Sequence, residues 1–419
     1  MKGSSRVATI GLVAILLFSQ STTAFGQALT IAGLPSTHSS PVAPTVSARS
    51  VVVMDMATGT LLYTKAPDLP IPPASLTKLV TLHLVYNELA AGRLRKDELV
   101  TIDPRDCSPS VPLGSSLMYL RPGMKVSVFD LMLGAAVVSG NDAAFALARR
   151  VAGSNEDFAR LMNTEMDRLG FPGLRFVEPS GLSEKNMATA SDFARFCRLY
   201  LKLHPQAIAE LHSQRYIEFP RPEHSVPGFS PEGRILQYNK NDLVLDYPGC
   251  DGLKTGYIIE AGFNLAATAE RDRTRFVIVT LGGGGATTAG GGAIRKSDGA
   301  RLLDWAFANW KSASPPLPAI PPLQVWYGTD HRLTLVPGSD AAVTLPPSAI
   351  PGLAVRAEIP RFIEAPVAKG EKIGELIYTS AGQVVRRVNL VASLSIDRGN
   401  IAIYLRDSLV RFFSSIFPS

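Results

Sequence analysis

The chain has 419 residues, 46% hydrophobic and 19% charged, with 42 Lys+Arg against 36 Asp+Glu and a formal net charge of +6. That composition excludes a disordered or collagen-like chain and leaves room for two or three domains. The positive excess forms no Lys/Arg block, which argues against nucleic acid and favours an anionic envelope surface as partner, and 3 Cys and 6 His without CxxC, HxxxH or HExxH spacing argue against a metal site.

The first element is a targeting segment. Lys2 and Arg6 precede an apolar run from Val7 to Phe18, and small residues follow to Ala28. A positive start, a short apolar stretch and a small-residue exit predict an export signal over residues 1–28, with cleavage after Ala24 or Ala28. The run is too short to span a bilayer comfortably. Export places Cys107, Cys197 and Cys250 in an oxidising compartment, where two of them could pair. The simpler reading is three buried small hydrophobes. Residues 29–48, rich in Pro, Ser and Thr, read as a linker.

Residues 49–310 read as one domain. Val51 to Met54 and Leu61 to Tyr63 flank Asp55-Met56-Ala57-Thr58-Gly59, a strand–turn–strand signal. Helical periodicity runs from Leu76 to Leu89, stopped by Gly92, and returns over about 127–138, 141–151, 155–169 and 190–203. Strand-like runs follow at 252–259, 262–269 and 275–281, then a helix over about 293–310. Strands, then helices, then strands predict an α/β sandwich in which the terminal strands meet in one antiparallel sheet. Residues 311–322 read as a proline linker, and 323–398, with short apolar runs between Gly, Pro and Asp, as a small all-β domain. In the tail, 399–419, Leu405, Leu409, Phe412, Phe413 and Ile416 recur at helical spacing opposite Arg406, Asp407 and Arg411. This predicts a helix over 401–417 lying in a membrane surface, or docked on a partner.

Three patterns carry chemistry. Ser75-Leu76-Thr77-Lys78 opens a helix, so Ser75 and Lys78 share one face, one turn apart. A neutral lysine there can activate the serine hydroxyl, although a serine at a helix start is more commonly an N-cap. Ser139-Gly140-Asn141-Asp142 falls in a break between two helices, where a polar turn is the plain alternative. Lys254-Thr255-Gly256 interrupts a β-forming run, offering a charge and a hydroxyl to a carboxylate, with the glycine open to close approach by a ligand backbone. The alternative is an edge strand with a solvated lysine.

Each pattern occurs once, in this order, and together they resemble the penicillin-interacting serine enzymes. Pro73-Ala74-Ser75-Leu76-Thr77-Lys78, Ser139-Gly140-Asn141-Asp142-Ala143, Asp251 to Gly256 and Ala261-Gly262-Phe263-Asn264-Leu265 resemble the low-molecular-mass D-alanyl-D-alanine carboxypeptidases. Glu364 to Gly370 with Ile373 to Leu376 is similar to that family's C-terminal domain, and the tail to its membrane anchor. The resemblance implies a β-lactamase/transpeptidase-like α/β sandwich with an antiparallel sheet, plus the small all-β domain. It implies removal of the terminal D-alanine from peptidoglycan pentapeptide stems through an acyl-enzyme, with no cofactor, and inhibition by β-lactam antibiotics. It implies a periplasmic protein attached peripherally to the outer face of the inner membrane.

Carried onto this chain, Ser75 is the nucleophile and Lys78 its base, depressed by burial and by the charge of Lys254. Ser139 relays the proton and Asn141 holds the substrate amide. Lys254, Thr255 and Arg295 receive the carboxylate, and the Ser75 and Tyr257 N–H groups form the oxyanion hole. The sequence departs from the family in Tyr257-Ile258, where His-Thr is common, and in the glycine-rich stretch 282–292, read as a flexible loop. Glu178, in Glu178-Pro179-Ser180-Gly181-Leu182, is a candidate for the carboxylate a serine β-lactamase needs for deacylation, but its surroundings resemble the carboxypeptidase Pro-Ser/Thr-Gly-Leu segment instead. A DD-endopeptidase, that β-lactamase, and a non-catalytic wall-binding or antibiotic-sensing module are the competing readings.

Overall fold

The computed structural model describes residues 41–107, 111, 114–232 and 235–416. The predicted export signal, the start of the first linker and the last residue of the predicted tail helix, Phe417, lie outside those residues.

The catalytic-size domain is built on strands β1 (Ser50–Asp55), β2 (Leu61–Lys65), β3 (Cys250–Ile258), β4 (Gly262–Arg271) and β5 (Thr274–Gly283). They form one antiparallel sheet in the order β2-β1-β5-β4-β3, with the chain's early and late strands joined at Ser50↔Leu281 through Asp55↔Phe276. Successive side chains of a strand point to opposite faces. Val52, Met54, Val277 and Val279 therefore enter one core, while Val51, Val53, Phe276 and Ile278 enter the other. A sheet covered on both faces explains the near-continuous apolar runs.

The first core is closed by α1 (Lys78–Ala90), α2 (Val128–Val137), α3 (Asn141–Ala152), α4 (Asn155–Leu169) and α5 (Ala190–Leu203). Ser127, Ser154 and Thr189 cap α2, α4 and α5 by accepting from the N–H of Asp130, Asp157 and Asp192. A short α6 (Asp242–Asp246) precedes β3, and α7 (Thr288–Asn309) closes the second core with Leu302, Leu303 and Ala306. The predicted sandwich is thus the observed one. Two short ribbons, Leu99–Thr101 with Lys125–Ser127 and Tyr216–Glu218 with Leu236–Tyr238, were invisible because three residues show no periodicity.

The glycine-rich stretch differs from expectation. It is not a loop throughout: Gly282 and Gly283 end β5, and α7 begins at Thr288, earlier than predicted, running through Gly290, Gly291 and Gly292. Glycine is a poor helix former, so capping and packing override propensity here. Thr287 accepts from Gly290 N–H at 3.0 Å.

Beyond α7, Lys311–Ala313 pairs with Val343–Leu345, so the first residues of the expected linker are a strand joining the two domains. Buried Asp55 locks this joint, accepting from Ser312 Oγ at 2.5 Å and Thr344 Oγ1 at 2.6 Å. The C-terminal domain packs a four-stranded sheet on a three-stranded one around Leu323, Val325, Leu376, Tyr378 and Leu390.

The final helix, α8 (Ile401–Ile416), docks by its polar side. Asp407, 2% exposed, accepts from Tyr327 N–H at 2.7 Å, Tyr404 stacks on Tyr327, and Arg411 pairs with Glu364. Leu405, Leu409, Phe412 and Phe413 stay exposed. No helix among the described residues is long and apolar enough to cross a membrane. Cys107, Cys197 and Cys250 are buried and unpaired.

Candidate active site

Ser75 sits in a single 3₁₀ turn, Ala74–Thr77, from which α1 continues at Lys78. The N-cap positions of the turn and of α1 are Pro73 and Thr77, so the N-cap reading of Ser75 fails. The turn is wedged between two glycines. A Cβ on Gly181, whose φ is +88°, would lie 1.8 Å from the Ala74 carbonyl oxygen. One on Gly256 would lie 2.8 Å from Pro73 O and 3.0 Å from Ser75 N. At Gly256 the protein's own backbone makes a close approach that a side chain would block.

Lys78 is fully buried beneath Ser75. Its Nζ lies 2.6 Å from Asn141 Oδ1, 2.6 Å from Ser180 O and 3.1 Å from Ser75 Oγ. The first two atoms can only accept, whereas a hydroxyl can also donate. A neutral amine in this cage gives its two N–H bonds to Asn141 and Ser180 and turns its lone pair to the Ser75 hydroxyl. Burial lowers the Lys78 pKa from 10.5 to about 7, against the opposing pull of Glu178 and Asp142. The expected depression by Lys254 is corrected to this: burial is the cause at Lys78, and the charge repulsion is felt by Lys254.

Two carboxylates shape the cage. Asp142 accepts from the N–H groups of Met118 (2.8 Å), Leu120 (3.0 Å) and Ala143 (2.9 Å), fixing the segment before α2 against the break that carries Ser139 and Asn141. Burial pushes its carboxyl above the usual range, and those N–H groups hold it back. Glu178 accepts on Oε2 from Ser180 N (2.7 Å) and Ser180 Oγ (2.6 Å). On Oε1 it accepts from Gly181 N (2.7 Å), Asn186 Nδ2 (2.8 Å) and Ser183 N (3.3 Å). A carboxylate has about four lone-pair sites. Those of Glu178 are spent holding the turn whose carbonyl, at Ser180, grips Lys78.

Lys254 lies on β3, an edge strand as the plain reading had it, but it is 1% exposed rather than solvated. Its Nζ donates to Thr255 O at 2.9 Å. Burial and the charges of Lys78, Arg295 and Lys240 hold it well below the usual lysine range. Arg295, on α7, reaches Lys240 O at 3.5 Å, and Thr255 Oγ1 reaches the same oxygen at 3.4 Å. Burial lowers the Arg295 pKa, opposed by Asp242.

Ser75, Ser139, Asn141, Thr255, Gly256, Tyr257 and Arg295 line one cleft of about 280 Å³, with Lys78 and Lys254 buried alongside them. Every predicted site residue is thus at this place. Sequence reasoning missed Asp142, Ser180 and the lining residue Lys240, and it set Glu178 aside as a water base without seeing its bracing role. The only signal was position: Asp142 follows Asn141, and Glu178 opens a Pro-Ser-Gly turn. A second cavity of about 420 Å³, between α2 and the 216–218/236–238 ribbon, contains none of the predicted residues.

Residues 37–285 match the family model described as D-alanyl-D-alanine carboxypeptidase, and residues 320–398 match that for the penicillin-binding protein 5 C-terminal domain. The chain is 30% identical over 384 residues to D-alanyl-D-alanine carboxypeptidase DacC of Escherichia coli, covering 90% of this chain and 91% of that one. Penicillin binding protein 5 from Haemophilus influenzae superposes with a TM-score of 0.73 at 29% identity, covering 85% of this chain and 99% of that one. Penicillin-binding protein D2 from Listeria monocytogenes, in its ampicillin-bound form, does so with a TM-score of 0.53 at 28% identity, covering 64% of this chain and 99% of that one.

Proposed function

The chain belongs to the D-alanyl-D-alanine carboxypeptidase family, and on that footing we propose that Ser75 is the nucleophile of a serine-type D-Ala-D-Ala carboxypeptidase acting on peptidoglycan pentapeptide stems. The observation that carries this reading is the Lys78 cage, which leaves one lone pair facing one serine hydroxyl.

Ser75 Oγ attacks the carbonyl carbon of the penultimate D-alanine while its proton passes to Lys78 Nζ. The oxyanion is held by the Ser75 and Tyr257 N–H groups. The C–N bond breaks, and the leaving amine takes the proton back through Ser139. Water then cleaves the Ser75 ester and restores the hydroxyl. Asn141 holds the substrate amide, and Lys254, Thr255 and Arg295 receive the terminal carboxylate. A β-lactam enters by the same attack on its ring carbonyl.

Deacylation separates this reading from a serine β-lactamase. Glu178, its bonding sites occupied within the turn, has no free lone pair to activate water, which favours a long-lived penicilloyl ester. The test is product analysis with pentapeptide and with a cross-linked dimer. Release of free D-alanine from the pentapeptide is expected. Cleavage of the dimer without D-alanine release would instead make the enzyme an endopeptidase.

The reading extends to location: export through residues 1–28, and attachment to the outer face of the inner membrane of a bacterium through α8. Its outward apolar face supports this. Truncation at Gly399 is expected to move the protein from the membrane pellet to the supernatant, measured by fractionation. Unchanged retention defeats the anchor.

A further inference from the structure

Two sequence features contribute no side chain to this chemistry: Tyr257-Ile258 after Lys-Thr-Gly, of which the Tyr257 backbone N–H alone takes part, and the glycines that open α7. In the fold they meet. Tyr257 is 40% exposed at the cleft, and its ring stacks on Phe263 with centroids 4.4 Å apart and planes 25° apart. Phe263 is 3% exposed, and its far edge presses on α7. A Cβ on Gly291 would lie 1.9 Å from Phe263 Cε2. Gly291 N–H donates to Thr287 O at 2.8 Å, which fixes that backbone against the ring. Gly291 is there because the helix must pass close beneath Phe263, so that Phe263 can seat Tyr257.

We propose that Tyr257, seated on Phe263, forms an aromatic subsite on the acyl-donor side of Ser75, taking an aromatic or long methylene side chain from the acyl half of the ligand. This rests on the acyl-transfer reading above. The carboxylate of the leaving half is directed to Lys254, Thr255 and Arg295. A strand rises about 3.3 Å per residue, so Tyr257 and Ile258 extend the wall roughly 7–10 Å past Thr255, away from Lys254 along β3. The acyl half runs that way. Ser75, Ser139, Asn141 and Thr255 bring polar groups to the cleft, Leu182 and Ile258 also line it, and Tyr257 offers it a rigid aromatic face that a ligand can cover. In the natural substrate this subsite takes the methylene chain of the third stem residue.

The test compares acylation rate constants for benzylpenicillin and 6-aminopenicillanic acid, which share the ring nucleus and differ in the aromatic acyl side chain. The wild type is expected to favour benzylpenicillin. Tyr257→Ala should lower that preference about tenfold, and Tyr257→Phe should keep it. Gly291→Ala, a change on the far side of Phe263 from Tyr257, should lower it too by displacing Phe263. Measurable acylation by 6-aminopenicillanic acid shows that each variant is folded. An unchanged preference in both Tyr257→Ala and Gly291→Ala overturns the subsite. Failure of both compounds to acylate the wild type overturns the acyl-transfer reading itself, and the subsite with it.

Discussion

Ser75→Ala is expected to abolish labelling by fluorescent penicillin and to cut D-alanine release by about 10³-fold or more, because the Ser75 hydroxyl, which faces the Lys78 amine, is the group that forms the ester. The side chain is half-buried and does not occupy an N-cap position, so the fold should survive its truncation. An unchanged far-UV spectrum and melting temperature would certify this. The neighbouring hydroxyl of Ser139 lines the same cleft and is the natural rival for the nucleophile. If Ser75→Ala labels as well as the wild type, the assignment of the nucleophile is wrong. The ester's mass then has to be located by peptide mapping, with Ser139 the first place to look.

Lys78 should govern the pH dependence. The base works only when neutral, and burial holds its pKa at about 7. The acylation rate should therefore rise with pH, fall about tenfold per unit on the acid side of that limb, and level off above pH 8. Lys78→Ala should remove the limb together with about 10³-fold of the rate. Glu178→Gln supplies the sharper reading. Removing its charge takes away the attraction that raises the Lys78 pKa, so the limb should move to lower pH. A Glu178 with only a structural role would lower the rate without moving the limb.

The same depression has a stability consequence. Between pH 7 and 10.5 the folded state holds fewer protons at Lys78 than the unfolded chain does, so the contribution of this residue to stability rises with pH across that window. Its burial is most costly below pH 7, where both states are charged. Lys78→Met should therefore be more stable than the wild type at pH 6, a gain bought with activity.

Legibility in the sequence followed length and repetition. The long helices over 141–151, 155–169 and 190–203 were read to within a residue or so because each offers several turns of periodicity and a capping residue. The start of α7 was misread because Gly290-Gly291-Gly292 has poor helix propensity, and Phe263, twenty-eight residues before Gly291, is what explains a glycine at 291. In α8 the amphipathic pattern was plain. Which face would be covered was not, since Asp407 buries itself against Tyr327 across the chain.

The sequence by itself determined the cast: Ser75 with Lys78, Ser139 with Asn141, and Lys254 with Thr255, each a pair one to three residues apart. It determined the order of the layers as well, because apolar period is a local property. The tertiary structure alone decided the state of those groups. Whether Lys78 is neutral depends on how much water the fold removes. Where its lone pair points depends on Ser180 and Asn141 arriving from separate segments, and Glu178 becomes a brace rather than a base because five donors reach it first. Desolvation and the filling of lone pairs are sums over neighbours in space, and no spacing along the chain encodes them.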